Sequence, residues 1–145
     1  MKVCYTNLIG EGSYSKVYKN SSKTVIKKYK NLDDGCPADM IKEIAVLQKI
    51  TSPYIISVLN ILEDSIILPL YEDDLSIYFK KGNKIEIPQF MFTIFNAVYH
   101  LHSSGICHRD IKPSNILVRD SKSGVLIDFG FSKTLDLDRR FGRKT

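Results

Sequence analysis

The sequence has only three cysteines among 145 residues, Cys4, Cys36 and Cys107. Their odd number and wide spacing exclude a disulfide framework and offer no CxxC zinc pair, so reduced thiols in a cytosol or nucleus fit best. Long hydrophobic runs are also missing. Apolar stretches such as Ile66 to Leu70 fall far short of the roughly 18 residues that span a bilayer. The polar start Met1-Lys2-Val3-Cys4-Tyr5-Thr6-Asn7 lacks a signal-peptide core. There is no internal repeat and no low-complexity tract. What is present, 43% hydrophobic and 26% charged residues, belongs to a globular chain and excludes both disorder and collagen-like order. The expectation is one soluble intracellular domain. A net charge of +5, spread along the chain, suits acidic or phosphate-bearing ligands without calling for specific nucleic acid.

Residues 1 to 30 alternate and are rich in β-branched and aromatic side chains, with Val17 and Tyr18 before Asn20-Ser21-Ser22 and Val25 and Ile26 after it. That pattern predicts strand, turn, strand. From Pro37 onward, Met40, Ile41, Ile44, Leu47 and Ile50 recur at helical spacing, and Pro53 follows the end. Apolar runs from Ile55 to Leu62 and from Ser65 to Tyr71 bracket Glu63-Asp64 and predict two antiparallel strands around a tight turn. A second helix is expected between Pro88 and Ser103, with Phe92, Phe95, Val98, Tyr99 and His102 on one face and Ser104-Gly105 as the stop. Two short strands, Ile116 to Val118 and Val125 to Ile127, are expected to flank a turn containing Ser123-Gly124. The lay-out is α+β, with a mainly antiparallel N-terminal sheet.

Gly10-Glu11-Gly12-Ser13-Tyr14-Ser15-Lys16-Val17 lies between two of these strands, where glycines let the backbone approach phosphate oxygens and offer N–H donors. Taken alone it reads first as an ordinary Gly-containing hairpin, and Ser15 stands where a third glycine would complete the loop. Lys27 sits on the next strand, on the same face as Val25, and could reach a phosphate; Lys28 and Lys30 read as solvated. A cation held near phosphates needs an anionic partner, and Glu43 on the Pro37 helix, amid Ile41, Ile44 and Leu47, is placed to supply it.

His108-Arg109-Asp110-Ile111-Lys112-Pro113-Ser114-Asn115 follows the second helix, and Asp128-Phe129-Gly130 follows the last expected strand. Asp110 is a carboxylate able to orient a hydroxyl and accept its proton. Asn115 and Asp128 offer the hard oxygen ligands that suit Mg²⁺. Local turn hydrogen bonds could explain each motif singly, but not both in order with Lys27 upstream.

On these motifs the chain resembles the eukaryotic-type protein kinases, over Gly10 to Gly130. The resemblance implies an N-lobe over about residues 1–71. Residues 72–145 would then carry the hinge exit, catalytic loop, DFG motif and start of the activation segment. It implies ATP and Mg²⁺ as cofactors and transfer of the γ-phosphoryl group to a protein hydroxyl. Lys27 would contact the α and β phosphates and pair with Glu43, Asp110 would be the catalytic base, and Asn115 and Asp128 would hold metal. Lys112 is the serine/threonine-type residue, expected to touch the transferred phosphate. Ile9, Gly10, Glu11, Gly12 and Ser13 would cover the nucleotide, with Val17, Val25 and Leu117 around adenine. Leu68 would be the gatekeeper, Pro69 and Tyr71 the hinge groups beside adenine, and Asp74 a ribose contact. Leu47, Val58, His108 and Phe129 would form a stack marking the assembled site.

The segment Leu32 to Ile44 is similar to the PSTAIRE helix of cyclin-dependent kinases at Pro37, Ile41, Glu43 and Ile44 and departs from it at Ala38, Asp39, Met40 and Lys42. A cyclin-like activator and ordinary helix packing explain those matches equally well. Ser13 and Tyr14 occupy positions where that group is inhibited by phosphorylation, although hydroxyls in such loops are commonplace. No APE motif follows Gly130. The resemblance therefore leaves Asp110 without the helices that anchor it in the family and Arg109 without a segment to clamp. Apolar faces of the second helix and the last two strands would be bared, and Arg139, Arg140, Arg143 and Lys144 form a basic end. A non-catalytic module that binds nucleotide, a cyclin or a kinase is the alternative to a phosphotransferase.

Overall fold

The structure is a computed structural model and describes residues 5–30 and 38–135. Cys4, Cys36, the segment from Leu32 to Pro37 and the basic end from Arg139 to Lys144 lie outside the described residues.

Three N-terminal strands, β1 (Leu8–Glu11), β2 (Ser15–Lys19) and β3 (Thr24–Tyr29), follow the alternation expected of residues 1 to 30. They form an antiparallel meander in which Gly10 faces Val17 and Val17 faces Lys27. Asn20 and Ser21 donate from their backbones to Thr24 O and close the β2–β3 turn. Helix α1 (Ala38–Lys49) comes next, then β4 (Asn60–Ile61) and β5 (Ser65–Pro69). The strands assemble in the order β1-β2-β3-β5-β4. This places β3 at the centre, where its side chains Val25, Ile26, Lys27 and Tyr29 are all buried.

The strand expected from Ile55 to Leu62 is cut to two residues. Ile55 and Ile56 are consecutive and both buried, which a half-exposed strand cannot satisfy. They leave the sheet and bond Leu126 of the second half instead: Ile55 bridges it and Ile56 N–H donates to its carbonyl at 3.1 Å. On α1 the buried stripe is Met40, Glu43, Val46 and Leu47. Ile41, expected inward, is 55% exposed, because it stands about 100° around the helix from Met40.

The second half holds α2 (Leu75–Lys80), α3 (Ile87–Ser103), β6 (Ile106–Cys107), β7 (Ile116–Asp120), β8 (Ser123–Leu126) and β9 (Lys133–Thr134). Asp74 caps α2 by accepting from Ile77 N–H at 2.9 Å. Helix α3 ends at Ser104 and at Gly105, whose φ of 71° is the left-handed conformation that closes helices. Its buried face is Phe90, Thr93, Ile94, Ala97 and Leu101. The face of Phe92, Phe95 and Tyr99 is the opposite one, and at 61%, 65% and 68% exposed it is the bared apolar face expected of this helix.

The β7–β8 hairpin turns at Ser121-Lys122, two residues before the expected Ser123-Gly124, and Gly124 lies within β8. Its place there is set by α3. A Cβ on Gly124 would stand 2.8 Å from Phe90 Cζ and 3.0 Å from both Ile116 Cγ2 and Ile94 Cδ1. Gly124 N–H also donates to Thr93 Oγ1 at 3.0 Å. The antiparallel sheet with one helix, followed by a helical second part, is the α+β lay-out the sequence implies.

Candidate active site

Lys27 and Tyr29 are two residues apart on β3 and therefore share a face. That face meets α1. Lys27 Nζ lies 2.6 Å from Glu43 Oε2, and the Tyr29 hydroxyl donates to the same carboxylate oxygen. Glu43 is 1% exposed, so two donors offset the large penalty for a buried carboxylate. Lys27 Nζ is also 3.7 Å from Asp128 Oδ1. One cation thus joins the central strand, α1 and the segment after β8. Burial first, and then the Glu43 charge, push the Tyr29 hydroxyl well above its ordinary range, so it remains a proton donor. Tyr29 was not singled out in the sequence, although its i+2 spacing from Lys27 was the available signal.

The loop from His108 is held at both ends. His108 is buried and neutral: its Nε2 is 2.8 Å from Ile127 O and its Nδ1 accepts from Asp110 N–H at 3.1 Å. Desolvation lowers its pKa, against the pull of Ile127 O. Its ring meets Phe129 edge to face, with centroids 5.0 Å apart. Leu47 and Phe129 belong to one core with Val58 at its margin.

Asn115, buried at the end of a 3-10 turn, donates Nδ2 to Asp110 O and to Asp110 Oδ2, both at 2.9 Å. Lys112 Nζ is 3.2 Å from the same Oδ2. Asp110 is thus held within its own loop by Asn115 and Lys112. Arg109 Nε donates to Phe131 O at 2.8 Å, from a residue with φ 68°. Asp128 is left-handed too, with φ 62°, and its Oδ1 accepts from Gly130 N–H at 3.3 Å. Lys42 on α1 reaches Gly130 O at 3.1 Å.

The glycine loop is the β1–β2 hairpin, with Ile9 half-exposed at 50% and Ser15 opening β2 opposite Tyr29. Lys30 is more than a solvated lysine. Its Nζ donates to Gly12 O at 2.9 Å and pairs with Glu11 at 3.0 Å, and these contacts with Lys16 hold the Glu11 carboxyl below its usual range. Lys28 pairs with Asp64 at 2.8 Å. Tyr14, at the loop tip, meets Phe131 edge to face at 6.3 Å.

Val25 is buried opposite Leu68, and Val17, Leu117 and Tyr71 pack at the margin of the same core. Pro69 has no N–H, and Leu70 N–H is engaged with Lys23 O at 2.8 Å. Asp74 lies across an isolated bridge from Leu117, but its Oδ1 serves the α2 cap. Among the described residues no three His, Cys, Asp or Glu side chains cluster as a metal site. Mg²⁺ does not require such a cage, because it is commonly held by one or two protein groups together with substrate phosphates. Asn115 fits: its Nδ2 is engaged by Asp110, which leaves the hard amide oxygen as the atom that would face a metal. A cavity of about 500 Å³ lined by Leu47, Ile50, Ile56 and Ile61 lies behind α1, away from these groups.

The model of the protein kinase domain matches residues 4–143. The chain belongs to the protein kinase family. A probable cell division protein kinase of Encephalitozoon cuniculi is 30% identical over 140 residues, covering 90% of this chain and 53% of that protein. Cell division control protein 2 homolog 2 of Trypanosoma brucei brucei is 33% identical over 141 residues, 86% of this chain and 41% of its own length. Cyclin-dependent kinase-like 2 of Pongo abelii is 37% identical over 150 residues, 88% of this chain and 29% of that protein. The chain thus spans about half or less of the kinases it matches. No helix among the described residues is long and apolar enough to cross a membrane.

Proposed function

We propose that this kinase chain binds ATP between its sheet and its second half and transfers the γ-phosphoryl group to a serine or threonine hydroxyl of a protein. The observation that carries the reading is the position of Lys27 Nζ, 2.6 Å from Glu43 and 3.7 Å from Asp128. Nucleotide phosphates need a fixed cation, and Glu43 on α1 fixes this one. Asp110 Oδ2 is held by Asn115 and Lys112, leaving Oδ1 to orient the attacking hydroxyl and accept its proton. Lys112 stands ready beside it to meet the transferred phosphate. Asn115 and Asp128 would hold Mg²⁺, which when bound neutralises charge on the phosphate oxygens. Ile9, Gly10, Glu11, Gly12 and Ser13 form the cover, Val17, Val25, Leu68 and Leu117 the adenine walls, Pro69 and Tyr71 the hinge contacts, and Asp74 the ribose contact.

A cyclin-like activator is part of the proposal, supported by the resemblance of α1 to the PSTAIRE helix and by relatives named for cell division. So is a cytoplasmic or nuclear setting. The test is phosphotransfer from labelled ATP to a mixed protein substrate, followed by phosphoamino-acid analysis. Label on serine and threonine that disappears in Asp110→Asn is the expected result; label that persists in that variant contradicts the assigned base.

One observation favours a second, non-catalytic reading, a nucleotide-, cyclin- or kinase-binding module. Ile87, Phe92, Phe95 and Tyr99 form an exposed apolar row along α3, a surface that fits a protein partner. Capture of a cyclin or kinase with no phosphotransfer would favour this module.

A further inference from the structure

Resting on the nucleotide-binding reading above, we propose that Tyr29 is a positioning residue of the phosphate site. Its hydroxyl is a second tether that holds Glu43, and through it Lys27, in the aligned arrangement.

The argument begins with the burial of Glu43. A carboxylate that is 1% exposed requires hydrogen-bonded counterparts, and its Oε2 takes two: Lys27 Nζ and the Tyr29 hydroxyl. Lys27 cannot be fully committed to that oxygen, because the reaction also asks it to face phosphate. Among the described residues, Tyr29 bonds Glu43 alone through its hydroxyl. Its ring is 3% exposed in the core, its backbone N–H is fixed to Asp64 O at 2.9 Å, and Lys27 Nζ lies 5.4 Å from its ring centroid. The hydroxyl therefore projects from the rigid centre of the sheet. It keeps a donor on Glu43 at every working pH, since burial and the Glu43 charge oppose its ionisation. The same helix reaches Gly130 through Lys42, so a shift of α1 would move both sides of the phosphate site. With the hydroxyl present, Glu43 keeps a partner while Lys27 turns toward phosphate. Without it, Glu43 loses one of its two donors and leans on Lys27 alone, and phosphate must compete with Glu43 for the cation.

The test is Tyr29→Phe in the full chain, which keeps the ring and its packing. Mg-ATP and adenosine affinities are measured by calorimetry, and amide hydrogen exchange of the ligand-free chain is compared over α1 and α3. The expected results are a loss of Mg-ATP affinity of about tenfold, the order of a hydrogen bond to a charged group, and unchanged adenosine affinity, because adenosine has no phosphate for Lys27. Exchange should quicken across Ala38–Lys49 and not across Ile87–Ser103. In a Lys27→Met background, Tyr29→Phe should weaken Mg-ATP no further. Equal losses for Mg-ATP and adenosine, or exchange that is unchanged or raised uniformly over both helices, overturns the proposal. A wild-type chain that binds neither ligand overturns the nucleotide reading instead, and the exchange pattern alone then decides the Tyr29 tether.

Discussion

Asn115 Nδ2 lies 2.9 Å from both the backbone oxygen and the Oδ2 of Asp110, so one buried amide fixes the loop and aims its carboxylate. Asn115→Leu, similar in volume but unable to donate, should leave Asp110 O without this donor. The expected loss of unfolding free energy is about 1–3 kcal/mol, read from denaturant midpoints at unchanged slope. Phosphotransfer should be lost as well. A stable variant with normal transfer would remove Asn115 from the site.

The contact between Gly124 and α3 is a packing constraint remote from the chemistry. Gly124→Ala places a methyl against the buried Phe90 ring, with 2.8 Å to Cζ. Because Phe90 is fully buried and cannot swing aside, overpacking should cost about 1–3 kcal/mol. An unfolding midpoint equal to wild type would mean that β8 and α3 separate more readily than their packing implies.

Arg109 combines a bond to Phe131 O with a left-handed backbone. Arg109→Ala removes the bond and keeps the strain, whereas Arg109→Gly removes both. The glycine variant should be the more stable of the two by about 1 kcal/mol. In both, limited proteolysis should cut near Phe131 faster than in wild type.

Burial holds the His108 pKa below its unfolded value. The unfolded chain therefore takes up a proton that the native chain refuses. The contribution is intact above about pH 6.5, the unperturbed value, and is lost as pH falls below it. Thermal midpoints should drop between about pH 7 and pH 5.5, with a shallower drop in His108→Leu. Identical slopes in the two proteins would assign the acid sensitivity to other groups.

Much of the site was legible because its residues lie in short motifs with fixed spacing. Lys27 and Glu43 meet as the sequence implied, whereas the bond from Asn115 to Asp110 was not foreseen. Tyr29 was missed because hydrophobic alternation explains an aromatic residue on a central strand without any need for its hydroxyl. Strand length failed at Ile55 and Ile56, where two adjacent buried residues leave the sheet for Leu126. Both sides of α3 are apolar: the outer one is the bared face the sequence implied, and the inner one packs on Gly124. The Ser123-Gly124 turn failed for a related reason: glycine there serves close packing and not chain reversal. Helix α2, six residues long and capped by Asp74, is too short for periodicity to reveal.

The most direct test of the account is thermal unfolding of the chain with and without Mg-ATP, beside Lys27→Met and Asp128→Asn. Ligand that binds only the native state raises the midpoint. The account predicts a cooperative transition that Mg-ATP shifts upward in wild type and shifts far less in both variants. A transition that Mg-ATP does not move in wild type, or moves equally in all three proteins, would contradict it.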